Sequence, residues 1–280
     1  MANSTYFHTI NGRTDYLKII ISYFLGIIMY YLGMFFRQDK YLAQNVNTIF
    51  IGGNTSRFLD WLILSNYTNA DDNSKDLVID FINKIFNLGR YGDIQYSKVQ
   101  KILLVPSLQP KNEVVLGLTQ YYISTKAKKS AKQYEKHTIF GENILYDHKR
   151  KSALDFIEEP NLDKKQSGIS LEDLTLLEIT DLPHSEIYKY NKGFCSLLSG
   201  VDAHQLFDFT NNSLILGKTE ILQNINNLLL NSENYSTIMR SEIDSYLKDV
   251  GGNKITTSFF ILTAKGLLHK LIDKFNDIIP

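Results

Sequence analysis

The longest uniform pattern in the chain is an uncharged apolar run from Ile19 to Phe36, with Lys18 before it and Arg37 and Lys40 after it. It predicts one long helix. Two settings suit such a helix. A bilayer core takes about 20 apolar residues in a helix, and a large α/β core can bury a helix on all sides. A cleaved signal peptide fits poorly, because Asp15 precedes the run and no small-residue cleavage site follows it. The tyrosines within the run, Tyr16 just before it and Ser22 inside it favour a protein interior, where hydroxyls find partners.

Shorter patterns follow. Thr48–Ile51 and Lys101–Val105 are compact apolar runs that read as buried strands. Between them, Phe58–Leu64 begins a helix, and Tyr67–Ser74 is a polar loop whose Ser74 can cap the next helix. In that helix Val78, Phe81, Ile82, Ile85 and Phe86 recur at helical spacing, and Leu88-Gly89-Arg90-Tyr91-Gly92 ends it. Pro106 and Pro110 bracket a loop, and Glu113–Ile123 reads as a helix containing Gly117.

The pattern changes after about Lys126, which divides the chain into 1–125 and 126–280. His137–Phe140 and Asn143–Tyr146 read as short strands around Gly141, and Glu158–Gly168 as a polar loop. From Ser170 the chain reads mainly as helices. Ser170 and Asp173 resemble a capping box opening a helix over Leu171–Ile179. Further helical patterns cover Ser185–Leu198, Lys218–Leu230, Ser236–Lys248 and Ser258–Phe275. Asp249-Val250-Gly251-Gly252-Asn253 reads as a turn between the last two. No internal repeat is present. The expected class is α/β in the first segment with a mainly helical C-terminal extension.

Composition narrows the chemistry. The 280 residues carry 30 basic and 30 acidic side chains, a formal net charge of zero, which argues against nucleic-acid binding by bulk electrostatics. The clusters Lys126-Ala127-Lys128-Lys129 and Lys149-Arg150-Lys151 read as solvated surface. Cys195 is the chain's one cysteine, so no intrachain disulfide forms; this fits a reducing, cytoplasmic compartment. Its apolar neighbours make it a core thiol. The six histidines show no i, i+4 pairing and no cysteine neighbours, so no zinc site is expected. His148, between Asp147 and Lys149, reads as part of a solvated cluster. No nucleophile elbow and no Walker-type phosphate loop occurs.

One stretch points to a ligand. The strand at Thr48–Ile51 runs into Gly52-Gly53-Asn54-Thr55-Ser56-Arg57 and then into the helical Phe58-Leu59-Asp60-Trp61-Leu62. Paired glycines let a ligand approach the backbone, because no Cβ intervenes. The start of the next helix offers free N–H groups to an anion.

Taken in order, the apolar helix, this Gly-Gly turn and the later Pro110-Lys111-Asn112-Glu113-Val114-Val115-Leu116-Gly117 resemble the C-terminal half of the actin, 70-kDa heat-shock chaperone and sugar-kinase superfamily. The bacterial actin-like branch is nearest in pattern. The likeness covers roughly residues 12 to 125. It implies a ribonuclease H-like half-domain of the actin-like ATPase fold, in which the apolar helix packs on a sheet and membrane insertion is not expected.

The resemblance further implies ATP or ADP at Gly52, Gly53, Asn54, Thr55, Ser56 and Arg57, with the first three facing ribose and phosphates and Ser56 and Arg57 flanking the adenine. Gly117 would pack close to the sheet. Thr55 stands where the family has a third glycine, and Asn112 where it often has a carboxylate. The family's two Asp-x-Gly phosphate loops precede the adenosine motif, and no Asp-x-Gly-x-Thr occurs in this sequence. The expectation is therefore a split or truncated protein that is not an ATPase by itself. A partner chain would supply the N-terminal lobe and the ligands for Mg, or the chain would self-associate. Two other readings stand beside this one: a nucleotide-free interaction module built on the later helices, and a protein anchored by one span at 19–36.

Overall fold

The computed structural model describes residues 13–38, 48–51, 72–92, 103–106, 142–150, 174–180, 182–200, 218–251 and 257–278. The chain divides into two compact units, one of residues 1–137 with 197–218 and one of 138–196 with 219–280. The boundary expected after residue 125 lies outside the described residues.

In the first unit the apolar run forms α1, Arg13–Gln38, with Arg37 in its last turn where a cation complements the helix dipole. Helix α2, Asp72–Tyr91, buries Val78, Phe81, Ile82, Ile85 and Phe86. These are the residues expected from helical spacing, and each is worth about 1.5–3 kcal/mol when fully buried. Its opposite face is solvated, with Asp80 and Lys84 paired at 2.7 Å. The helix begins two residues before Ser74, which therefore lies inside the first turn and is not the cap expected of it. It ends at Gly92, whose φ of +76° suits glycine and whose N–H donates to the Leu88 carbonyl at 2.7 Å.

Helices α1 and α2 cross with their backbones in contact. A Cβ on Gly33 would lie 2.2 Å from the Phe86 carbonyl oxygen, and one on Gly89 would lie 2.1 Å from that of Tyr30. Phe36 meets Phe86 edge-on, with centroids 5.5 Å apart. Contacts of 30 with 89 and 36 with 86 mean that the two helices run in opposite directions.

Strands β1, Thr48–Ile51, and β2, Leu103–Pro106, pair in parallel, with Thr48 opposite Leu103 and Ile51 opposite Pro106. Parallel neighbours need a long crossover, and here that connection carries α2, which packs against β2.

The second unit holds a three-stranded antiparallel sheet of β3, Ile144–Tyr146, β4, Lys149–Arg150, and β5, Leu177–Ile179, in the order β4-β3-β5. It also holds α3, Glu186–Ser199, through Ser196, together with α4, Lys218–Leu229, α5, Tyr235–Val250, and α6, Phe259–Ile278. The expected strand at Asn143–Tyr146 and the four expected helices from Ser185 onward are present within a few residues of their expected bounds.

The helix expected over Leu171–Ile179 does not reach its expected end: residues 174–175 are helical, but 177–179 is strand β5. Ile179, Glu178 and Leu177 pair with Ile144, Leu145 and Tyr146. The Ile179 N–H donates to Ser236 Oγ at 3.0 Å. Pairing with β3, helped by the β-branched Ile179, ends the helical pattern here; residues 170–173, which carry the capping pattern, lie outside the described residues.

The core of this unit joins Ile144, Leu174 and Leu177 from the sheet region to Met239, Ile243 and Leu247 of α5 and Phe259 and Leu262 of α6. Helix α5 ends as a turn was expected. Gly251 has φ +63°, and its N–H reaches the Leu247 and Lys248 carbonyls.

Candidate functional site

The residues expected to hold a nucleotide, Gly52, Gly53, Asn54, Thr55, Ser56 and Arg57, lie outside the described residues, as do the helix expected at 58–64 and Gly117. What is described is the frame from which they leave. β1 ends at Ile51, directly before Gly52, and Ile51 is paired with Pro106, the last residue of β2. Parallel pairing in this register puts the carboxyl ends of both strands on one edge. Ile51 and Pro106, the last residues of the two strands, are therefore neighbours. In open α/β sheets, ligands bind outside the carboxyl ends of parallel strands.

A second set of polar groups gathers at the start of α3. Glu142 is buried, and its carboxyl receives three backbone N–H donors. Asn143 and Glu186 donate to Oε1 at 2.9 and 2.8 Å, and Ile187 donates to Oε2 at 2.7 Å. Ser185 Oγ accepts the Tyr188 N–H at 3.2 Å in the ordinary capping position. Glu142 thus acts as a second cap, brought from the residue two before β3. Burial pushes its carboxyl up to about 8. The N–H groups of Ile187, Glu186 and Asn143 pull it back, and the neighbouring Glu186 charge adds to the rise. Glu186 in turn pairs with Lys189 Nζ at 2.9 Å. Sequence reading did not single out Glu142, because its partners lie 44 and 45 residues away and no local motif marks it.

Further along α3, Asn191 Nδ2 donates to the Leu229 carbonyl at 2.9 Å and to Tyr235 Oη at 3.1 Å, while Tyr235 donates its own O–H to the same carbonyl. Two buried side chains thereby satisfy a carbonyl that the end of α4 leaves open. Burial pushes the Tyr235 hydroxyl well above the ordinary phenol range. Cys195 is buried as expected, and burial pushes its thiol up to about 12. A thiol in that state is a packing group and not a nucleophile.

His148 is largely exposed and lies 3.3 Å from Glu178, in keeping with a solvated cluster. It shares the β3–β4 turn with Asp147, and both have positive φ, 49° and 58°. On the α5–α6 pair, Glu242 takes Lys265 at 3.1 Å and His269 at 3.5 Å. No group of three or more His, Cys, Asp or Glu side chains suited to a metal occurs among the described residues.

No protein-family model, curated protein or solved structure matches the chain. The described polar clusters are inward-facing caps or surface ion pairs. β1 ends directly before the Gly-Gly turn expected from the sequence.

Proposed function

We propose that residues 12–125 form the adenosine-binding part of an actin-like nucleotide fold, with ATP or ADP held at Gly52, Gly53, Asn54, Thr55, Ser56 and Arg57. The observation that supports this reading most is the in-register parallel pair, whose carboxyl edge lies one residue from the Gly-Gly turn. A βαβ crossover, a turn without Cβ atoms and the order of the three sequence motifs support it further. In this reading Arg57 stacks its planar guanidinium on the adenine face, and the turn glycines admit the ribose and phosphates. The ribonuclease H-like half-domain is the matching fold proposal.

Phosphoryl transfer needs metal and positioning groups around the transferred phosphate. We assign those to a partner chain carrying the N-terminal lobe, so the chain alone holds nucleotide weakly and does not split it. The experiment is photo-crosslinking of the full chain with 8-azido-ATP, followed by peptide mapping. Label on the peptide spanning 52–62, competed by excess ATP and reduced at least tenfold by Arg57→Ala, is the expected result. Label that ATP does not compete, or that maps only outside residues 48–62 and 103–117, overturns the proposal.

A further inference from the structure

A surface helix of a water-soluble protein ordinarily turns polar residues outward and apolar ones inward. Helix α1 departs from this on its outer side. Its deeply buried face is mostly hydrocarbon, with Ile19, Leu25, Met29 and Met34, and it also carries Lys18, Ser22 and the hydroxyl-bearing Tyr16, Tyr23 and Tyr30. Its half-buried and exposed positions from residue 17 to 35 are hydrocarbon: Leu17, Ile20, Ile21, Phe24, Ile28, Leu32 and Phe35, with the one hydroxyl of Tyr31 beside them. Phe24 and Phe35 are 41% and 38% exposed. Eleven residues apart, they fall on one side of the helix.

We propose that this stripe rests on a lipid bilayer surface, with α1 lying in the plane of the membrane and α2 on the side away from it. Two observations choose lipid over a protein surface. The stripe is roughly 27 Å long at 1.5 Å per residue and about 10 Å wide. That gives about 300 Å², against the 800 Å² or so that each partner of a stable protein interface buries. A protein interface also carries roughly one hydrogen bond per 100–200 Å², whereas the stripe offers one hydroxyl, and acyl chains need none.

One charge suits an anionic surface: Arg37, just past the stripe, is exposed, whereas Lys18 is buried on the other face. Lying flat, and not spanning, follows from the other face. The backbones of α1 and α2 touch at Gly33 and Gly89. A spanning α1 would leave that contact and carry Ser22, the tyrosine hydroxyls and Lys18 into lipid, where polar groups are costly.

The test is flotation of the full chain with vesicles of phosphatidylcholine and phosphatidylglycerol, 3:1. The wild type and Leu176→Asp, a change at an exposed apolar residue of the other unit, are expected to float alike. The double variant Phe24→Asp/Phe35→Asp, with an unchanged circular dichroism spectrum, should bind at least tenfold less. Wild type that stays unbound, or a double variant that floats as well as wild type, overturns the proposal. So does a vesicle-independent dimer in ultracentrifugation that the double variant abolishes without any flotation.

Depth gives a second readout. In a Trp61→Phe background, which removes the chain's one tryptophan, Phe24→Trp and Phe35→Trp are quenched by brominated lipids. Equal, shallow depths are expected for a helix in the plane. Quenching that puts position 24 close to the bilayer centre and position 35 well away from it would mean a span and overturn it.

Discussion

At the scale of single residues, what could be read from the sequence depended on whether a side chain's surroundings are local. Cys195 sits in an apolar stretch of a helical pattern, and its burial followed from that. Its thiol should remain unreactive toward an aromatic disulfide reagent at pH 8 and react fully in denaturant; prompt reaction of the folded protein would contradict the packing described. Glu142 is the opposite case. It carries no local signature, yet three N–H groups converge on it. Glu142→Ala should cost at least about 2 kcal/mol in urea unfolding, because buried donors are left without an acceptor. The pH dependence has a definite sign. The folded value of about 8 lies above the ordinary 4.5, so this carboxyl's contribution is fully present below pH 4.5 and is lost as pH rises through 8. Glu142→Gln keeps an acceptor oxygen and should flatten the slope of stability between pH 5 and 8. An unchanged slope would show that another group sets it.

At the scale of elements, helices were legible because their signal is internal. The helical spacing of apolar residues in α2 and α3 defines each element without reference to the rest of the chain. Strand β5 was misread because its signal is external. Leu177-Glu178-Ile179 becomes a strand only when β3 lies beside it. The α1–α2 crossing has a sharper dependence on particular residues. Gly33→Ala and Gly89→Ala each press a methyl into a backbone carbonyl and should lower unfolding stability by about 1–3 kcal/mol or more, the usual range for overpacking. Gly92 makes a useful contrast. A Cβ there meets nothing within 4 Å, but φ is +76°, so Gly92→Ala should cost only the backbone strain of about 1 kcal/mol. If Gly33→Ala costs no more than Gly92→Ala, the two backbones do not touch as described.

At the scale of the whole molecule, the nucleotide reading makes a prediction that depends on assembly. A ligand binding only the folded state stabilises by about 2.7 kcal/mol at a hundred times its dissociation constant. The chain alone should show little thermal shift with ATP. A partner supplying the missing lobe should raise the shift several-fold, and Arg57→Ala should abolish that gain. A shift that is full-sized without any partner would overturn the assignment of the phosphate-binding parts to a second chain. By itself the sequence determined the long helices, the strands at 48–51 and near 103–106, the core thiol and the mainly helical character of the later segment, because periodicity and composition act within a few turns of chain. Only the tertiary structure decided that β1 and β2 pair in parallel with their carboxyl ends together, that 177–179 is a strand, that Glu142 caps a distant helix, and that α1 buries Tyr16, Ser22, Tyr23 and Tyr30 while Phe24 and Phe35 stay exposed. Each of those joins residues far apart along the chain, and the energy that selects them exists only once both sides are in place.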